Sequence, residues 1–157
     1  MKILGIDPGS GIIGFGLVEK SSKPKMLDAG VIRTTIGDDP ASRLVELYES
    51  MKELLAEFEP DEAAVEKLFF AQNVTTAMTV SQARGVILLA LAEADIPIAE
   101  YTPLQIKMAM TGYGRAAKAQ IQEMVRVQLN LKKKPSPDDA ADALAVALTH
   151  IATLRVQ

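Results

Sequence analysis

Residues 2–35 hold three consecutive extended patterns with no helical pattern between them, and this constrains the fold more than any other feature of the chain. Lys2 to Asp7 and Ile13 to Lys20 read as strands separated by the turn Pro8-Gly9-Ser10-Gly11, and Met26 to Thr35 reads as a third. Strands this close in sequence form an antiparallel meander. The periodicity then changes. Leu44, Leu47, Tyr48, Met51, Leu54, Leu55 and Phe58 recur at spacings of three and four, which predicts an amphipathic helix over 42–58, ended by Pro60.

Asp61 to Glu66 reads as a short strand, Asn73 to Ala94 as a long helix with Asn73 as its cap, and Ile96 to Tyr101 as a fifth strand. After Pro103 the pattern is helical to the end, broken by Thr111-Gly112-Tyr113-Gly114 and by Lys132 to Pro137. This order describes an α/β fold of the ribonuclease H-like kind, a mixed five-stranded sheet with helices on both faces. At 157 residues the chain is expected to form a single domain, residues 1–157. Several families share the order, so the fold leaves the reaction open.

Composition narrows the chemistry. There is no cysteine and only one histidine, which excludes disulfides, thiolate nucleophiles and Cys- or His-rich metal sites. The longest apolar run, Gly85 to Ala92, is bounded by Arg84 and Glu93 and falls short of the ~20 residues that span a bilayer. No membrane segment is expected, and cytoplasm is the expected compartment. The net charge of −3 conceals a segregation. Between Tyr101 and Pro137, seven basic residues stand against Glu123 alone, a local charge of +6 that leaves −9 elsewhere. A basic segment on an acidic chain fits a nucleic-acid contact surface, although solvated lysines give the same count.

Four acids are placed for metal chemistry. Asp7 ends the first strand directly before a glycine-rich turn, where a turn-forming role is the competing reading. Glu66 ends a strand whose Ala63, Ala64 and Val65 mark it as buried and central. Asp139 and Asp142 are three residues apart and share one face of an alanine-lined helix. In Ser136-Pro137-Asp138-Asp139, Ser136 reads as N-cap, Pro137 as the first helical residue and Asp138 as a complement to the dipole. Asp142 lies beyond the first turn, where the dipole rewards it little. Four carboxylates form a hard-oxygen site suited to Mg²⁺ or Mn²⁺, and two ions acting together would hydrolyse a phosphodiester without a side-chain nucleophile.

These motifs closely resemble the RuvC family of bacterial Holliday junction resolvases along nearly the whole chain. The residues concerned are Met1-Lys-Ile-Leu-Gly-Ile-Asp-Pro-Gly-Ser10, Val65-Glu66-Lys-Leu-Phe69, Ser81-Gln-Ala-Arg-Gly85 and Asp139-Ala-Ala-Asp-Ala-Leu-Ala-Val-Ala-Leu-Thr-His150. The resemblance implies that Asp7, Glu66, Asp139 and Asp142 are the catalytic metal ligands, with Asp139 preferred over Asp138 because it precedes Ala-Ala-Asp. It further implies a homodimer that makes paired cuts across a four-way DNA junction, with the RuvA–RuvB branch-migration complex as a partner. It places Phe69 near the junction point against unpaired bases, Phe70 being the alternative, and puts Lys107 and Lys118 on phosphates. Arg115 flanks the same glycine-rich loop and joins them as a DNA-binding candidate. The helix carrying Met78, Gln82, Gly85 and Leu89 would form much of the dimer interface. His150 is expected to serve as a cap or dipole partner, without a catalytic role.

Two rival functions share parts of this pattern. Ile6-Asp7-Pro-Gly-Ser-Gly11 also resembles the phosphate-gripping hairpin of an actin-like ATPase or sugar-kinase lobe, although such proteins use two lobes. An RNA-processing nuclease of the same fold would use the same acids. A non-cleaving DNA-binding protein would need only the basic segment, and the acids would oppose it.

Overall fold

The structure is a computed structural model and describes residues 1–68 and 73–156. The strands are β1 (Lys2–Asp7), β2 (Ile12–Glu19), β3 (Lys25–Arg33), β4 (Glu62–Glu66) and β5 (Ile98–Tyr101). They form one sheet in the order β3-β2-β1-β4-β5. The first three pair antiparallel as the meander expected, whereas β4 and β5 run parallel to β1. The helices are α1 (Pro40–Phe58), α2 (Val74–Glu93), α3 (Pro103–Thr111), α4 (Lys118–Gln128) and α5 (Asp138–Val156).

Burial in the central strands explains the two helical layers. Leu4, Ile6, Ala63 and Val65 face α1 and α2 in a core with Leu47, Met51, Ile87 and Leu91. Ile3, Ala64 and Val18 face the other way, in a core with Ile106, Val125, Leu144 and Leu148 of α3, α4 and α5. Alternate residues of each strand thus feed opposite cores, as the pleat requires. Asp39 caps α1, accepting from the Ser42 N–H at 3.0 Å, so that helix begins two residues before the expected Ser42.

Two readings of the sequence need correction. Pro137 is not the first residue of α5; it precedes Asp138, and its carbonyl accepts from the Ala140 and Ala141 N–H groups. His150 is not a terminal cap, because it is only 5% exposed and lies inside the fold. Its Nδ1 is 2.7 Å from the Tyr101 hydroxyl and its Nε2 2.6 Å from Glu62 Oε2, so it ties α5 to β5 and β4. Helix α2, at 20 residues with a mean hydropathy of 1.4 over its most apolar window, has the length and composition to cross a bilayer. Arg84 in its middle forms an ion pair with Glu100 of β5, and its inner face packs in the core with α1, which makes it an element of this fold.

Candidate metal centre and its surroundings

The sheet register brings the acids together. Because β1 and β4 are parallel and Ile6 pairs with Val65, Asp7 and Glu66 leave the same end of neighbouring strands. Helix α5 supplies the other acids by lying directly on β1 and β2. Glycines make that approach possible: a Cβ at Gly5 would stand 2.1 Å from the Ala143 carbonyl oxygen, and one at Gly14 would stand 2.0 Å from that of Asp139. Gly14 is the register partner of Asp7. The missing side chain on β2 therefore sets the distance between the β1 acid and the α5 acids.

One carboxylate oxygen from each of Asp7, Asp139 and Asp142 lies within 4.8 Å of the others. Glu66 adjoins them through a hydrogen bond with the Asp7 carboxyl. Asp138 is exposed and lies outside this group, so the geometry selects Asp139 from the pair. Crowding acids without a cation has a cost that falls on the most buried of them. Burial, then the hydrogen bond and charge of Glu66, and then the charges of Asp142 and Asp139 push Asp7 up to about 9. Burial also raises Asp142, against the opposing pull of Lys118.

Lys118 opens α4 with its Nζ 3.1 Å from Asp142 Oδ2 and 3.9 Å from Asp138 Oδ2. Burial alone would lower its ammonium, but the hydrogen bond and charge of Asp142, with Asp138 and Asp139 behind, hold it above the ordinary lysine value. Lys107 of α3 lines a hollow with Glu66, Lys118 and Asp142, which puts both lysines on one side of the acids. Arg115 is exposed in the turn between α3 and α4 and does not line that hollow. Phe69, like Phe70, lies outside the described residues. Met78, Gln82, Gly85 and Leu89 share one outward stripe of α2, with Met78 62% and Leu89 52% exposed.

The donor set fits a hard divalent cation. It consists of carboxylate oxygens alone, converging from two strands and a helix. Sequence reasoning missed the residue that steadies Glu66: Arg84 donates from Nε to the Glu66 carbonyl at 3.4 Å while its Nη2 pairs with Glu100. Its place in Ser81-Gln-Ala-Arg-Gly85 was the available signal. The glycines of β1 and β2 were missed as the seat of α5, although Gly5, Gly14 and Gly16 stand out in otherwise apolar strands.

Comparisons with known proteins identify the family. The family model for the crossover junction endodeoxyribonuclease RuvC matches residues 3–150. The crossover junction endodeoxyribonuclease RuvC of Brevibacillus brevis is 55% identical over 151 residues, 96% of this chain and 91% of that protein. The structure of Thermus thermophilus RuvC superposes with a TM-score of 0.92 at 38% identity, covering 99% of this chain and 96% of that one. The same protein in complex with a Holliday junction substrate gives a TM-score of 0.90 at 35% identity, covering 99% and 96% of the two chains. Neither the ATPase-lobe reading nor the RNA-processing reading finds support among these relatives. A ribonuclease H-like sheet with oxygen donors converging at its strand ends, matched in sequence over nearly its full length, makes this chain a member of the RuvC family of crossover junction endodeoxyribonucleases.

Proposed function

We propose that the chain resolves four-way DNA junctions during recombination and repair by paired, metal-dependent hydrolysis of phosphodiester bonds, with Asp7, Glu66, Asp139 and Asp142 as the catalytic metal ligands. The observation that carries this reading is the convergence of the three aspartates to within 4.8 Å on elements that the glycines of β1 and β2 hold in place. The T. thermophilus relative bound to a Holliday junction supports the substrate.

The four carboxylates would hold Mg²⁺, or Mn²⁺ in its place, with room in their shared donor set for two ions. Bound there, the cation would supply an activated water and stabilise the charge that develops on the phosphate and the leaving oxygen. The remaining chemistry belongs to the chain. Rigid packing of α5 on the sheet presents the acids without further rearrangement. Lys118 partly offsets the charge of Asp142 and keeps its ammonium at the rim of the cluster, and Lys107 in the same hollow extends that positive edge toward a phosphate. Arg115 serves the DNA backbone farther out, and Phe69 stacks on unpaired bases.

Two cuts across a two-fold substrate call for two copies of the site, and the exposed stripe of Met78, Gln82, Gly85 and Leu89 on α2 is the surface through which a homodimer forms. The RuvA–RuvB complex delivers the junction, and the cytoplasm is the compartment of the reaction. The test is cleavage of a labelled mobile four-way junction against a matched linear duplex and an RNA–DNA hybrid, with Mg²⁺ or with EDTA. Symmetric nicks confined to the junction and abolished by EDTA are expected. Cutting of the hybrid in preference to the junction, or cutting unaffected by EDTA, would overturn the reading.

A further inference from the structure

On the side of the acids away from Lys107 and Lys118, a second groove runs between the 8–11 turn, the end of β3 and the first turns of α1 and α2. Arg33, Thr34, Arg43 and Thr76 line it, with Gly9 to Ile12 along one edge and Asp139 among its walls. Arg43 is held rigidly there. Its Nε and Nη2 donate to Thr34 Oγ1 at 3.0 and 2.9 Å, and Nη2 also donates to the Ser10 carbonyl at 3.4 Å. Thr34, the shared acceptor, is buried at 8% exposure. The guanidinium reaches this position by passing over Gly11, where a Cβ would stand 2.7 Å from Nη2.

All of those acceptors are neutral. Among the described residues, no carboxylate comes within 4.0 Å of Arg43 or of Arg33, whereas Arg84 and Arg126 are each paired with a glutamate. A planar cation fixed by neutral partners in a groove, beside a second exposed arginine, matches the fork geometry that recognises phosphate. The placement is also complementary to the lysines. A strand whose scissile phosphate lies at the acids needs anchoring on both sides, and the α3–α4 hollow supplies only one.

We propose that this groove is a second phosphate-binding subsite, in which Arg33 and Arg43 hold the DNA backbone on the opposite side of the scissile phosphate from Lys107 and Lys118. The proposal rests on the nuclease reading given above. It gives the 8–11 turn a second task besides closing the β1–β2 connection: the Ser10 carbonyl and Gly11 place Arg43.

The test is junction affinity measured against salt concentration in EDTA for the wild-type chain and for R33Q, R43Q, R43K and K118Q. Each glutamine variant is expected to bind several-fold more weakly near 0.1 M salt and to reduce the log–log salt slope by about 0.9. R43K, which keeps the charge and loses the fork, is expected to retain the wild-type slope. Equal slopes for R43Q and R43K, both below the wild type, would mean that Arg43 only braces the turn, and would overturn the proposal. Wild-type slopes in R33Q and R43Q beside a reduced slope in K118Q would overturn it as well. Because Arg33 is an exposed strand-end residue, R33Q decides the matter if R43Q fails to fold: an unchanged R33Q slope contradicts the subsite. Failure of the wild-type chain to bind junctions at all would instead break the nuclease reading itself.

Discussion

Helices α2 and α5 are nearly equal in length, rich in alanine and apolar on more than one side, yet they have opposite fates. Residues 143 to 151 of α5 are buried without a break, between the sheet on one side and α3 and α4 on the other. Helix α2 buries Ala77, Ala83, Ile87, Ala90 and Leu91 on one face and leaves Met78 and Leu89 in solvent on another. The difference lies in what faces each helix. Gly5 and Gly14 leave a seat on the sheet that α5 occupies, whereas a Cβ at Gly85 of α2 would meet nothing within 4 Å. The lesson is that apolar composition states how much surface a helix must bury, and the small residues opposite it state where. In α5 that placement also brings Asp139 and Asp142 to Asp7, and in α2 it leaves the face proposed above for a second copy of the chain.

Substitutions at the two kinds of glycine break or sharpen this contrast. Gly14→Ala would drive a methyl into the Asp139 backbone, and a well-packed interface gives way only at a cost. Its expected destabilisation is at the upper end of the ~1–3 kcal/mol typical of overpacking, with loss of cleavage, read by urea unfolding and a junction assay.

Asp7→Asn tests the electrostatic side of the same packing. An aspartate raised from 3.8 to about 9 holds a proton in the folded chain that the unfolded chain has released, so between those values stability falls as pH rises. Removing the titrating group should therefore stabilise the metal-free protein at neutral pH. The gap in melting temperature between variant and wild type in EDTA should widen up to about pH 9. A gap that narrows with rising pH would contradict the crowded-acid account.

On α2 the expected effects on the single chain are smaller. Leu89→Glu, at a 52% exposed position, should change the stability of the isolated chain by no more than about 0.5 kcal/mol while shifting the proposed dimer toward monomer in sedimentation velocity. Gly85→Ala should stabilise the isolated helix by roughly 0.5–1 kcal/mol, because nothing opposes the added methyl within the chain. If the partner approaches closely at Gly85, the same variant should weaken dimerisation; unaltered dimerisation would move the contact elsewhere along the stripe.

Much of this arrangement was legible in the sequence, for physical reasons. Short apolar runs bounded by turn residues marked the meander, whose β1 is buried on both faces, and apolar spacing marked α1, which faces solvent on one side and so carries a periodic signal. The acids were legible because charge at the end of a buried strand, or on an alanine-lined helix, has few structural explanations. Arg84, Arg43 and His150 were not legible in their roles. Their partners, Glu100, Thr34 and Glu62, lie far off in sequence or beyond a turn, and only the folded chain brings them together. Asp139 was preferred over Asp138 from its place before Ala-Ala-Asp, and the seating of α5 on the glycines of β1 and β2 is what sets it beside Asp7 and Asp142.

The central claim is that the acids held together by α5, β1 and β4 form the hydrolytic centre. The most direct test is single-turnover cleavage of a mobile four-way junction by wild-type and Asp7→Asn protein across a Mg²⁺ titration, with junction affinity measured in parallel. The account predicts Mg²⁺-dependent paired nicks for the wild type, and no product from the variant at equal or tighter junction binding. Cleavage by Asp7→Asn within tenfold of the wild-type rate would place the chemistry elsewhere.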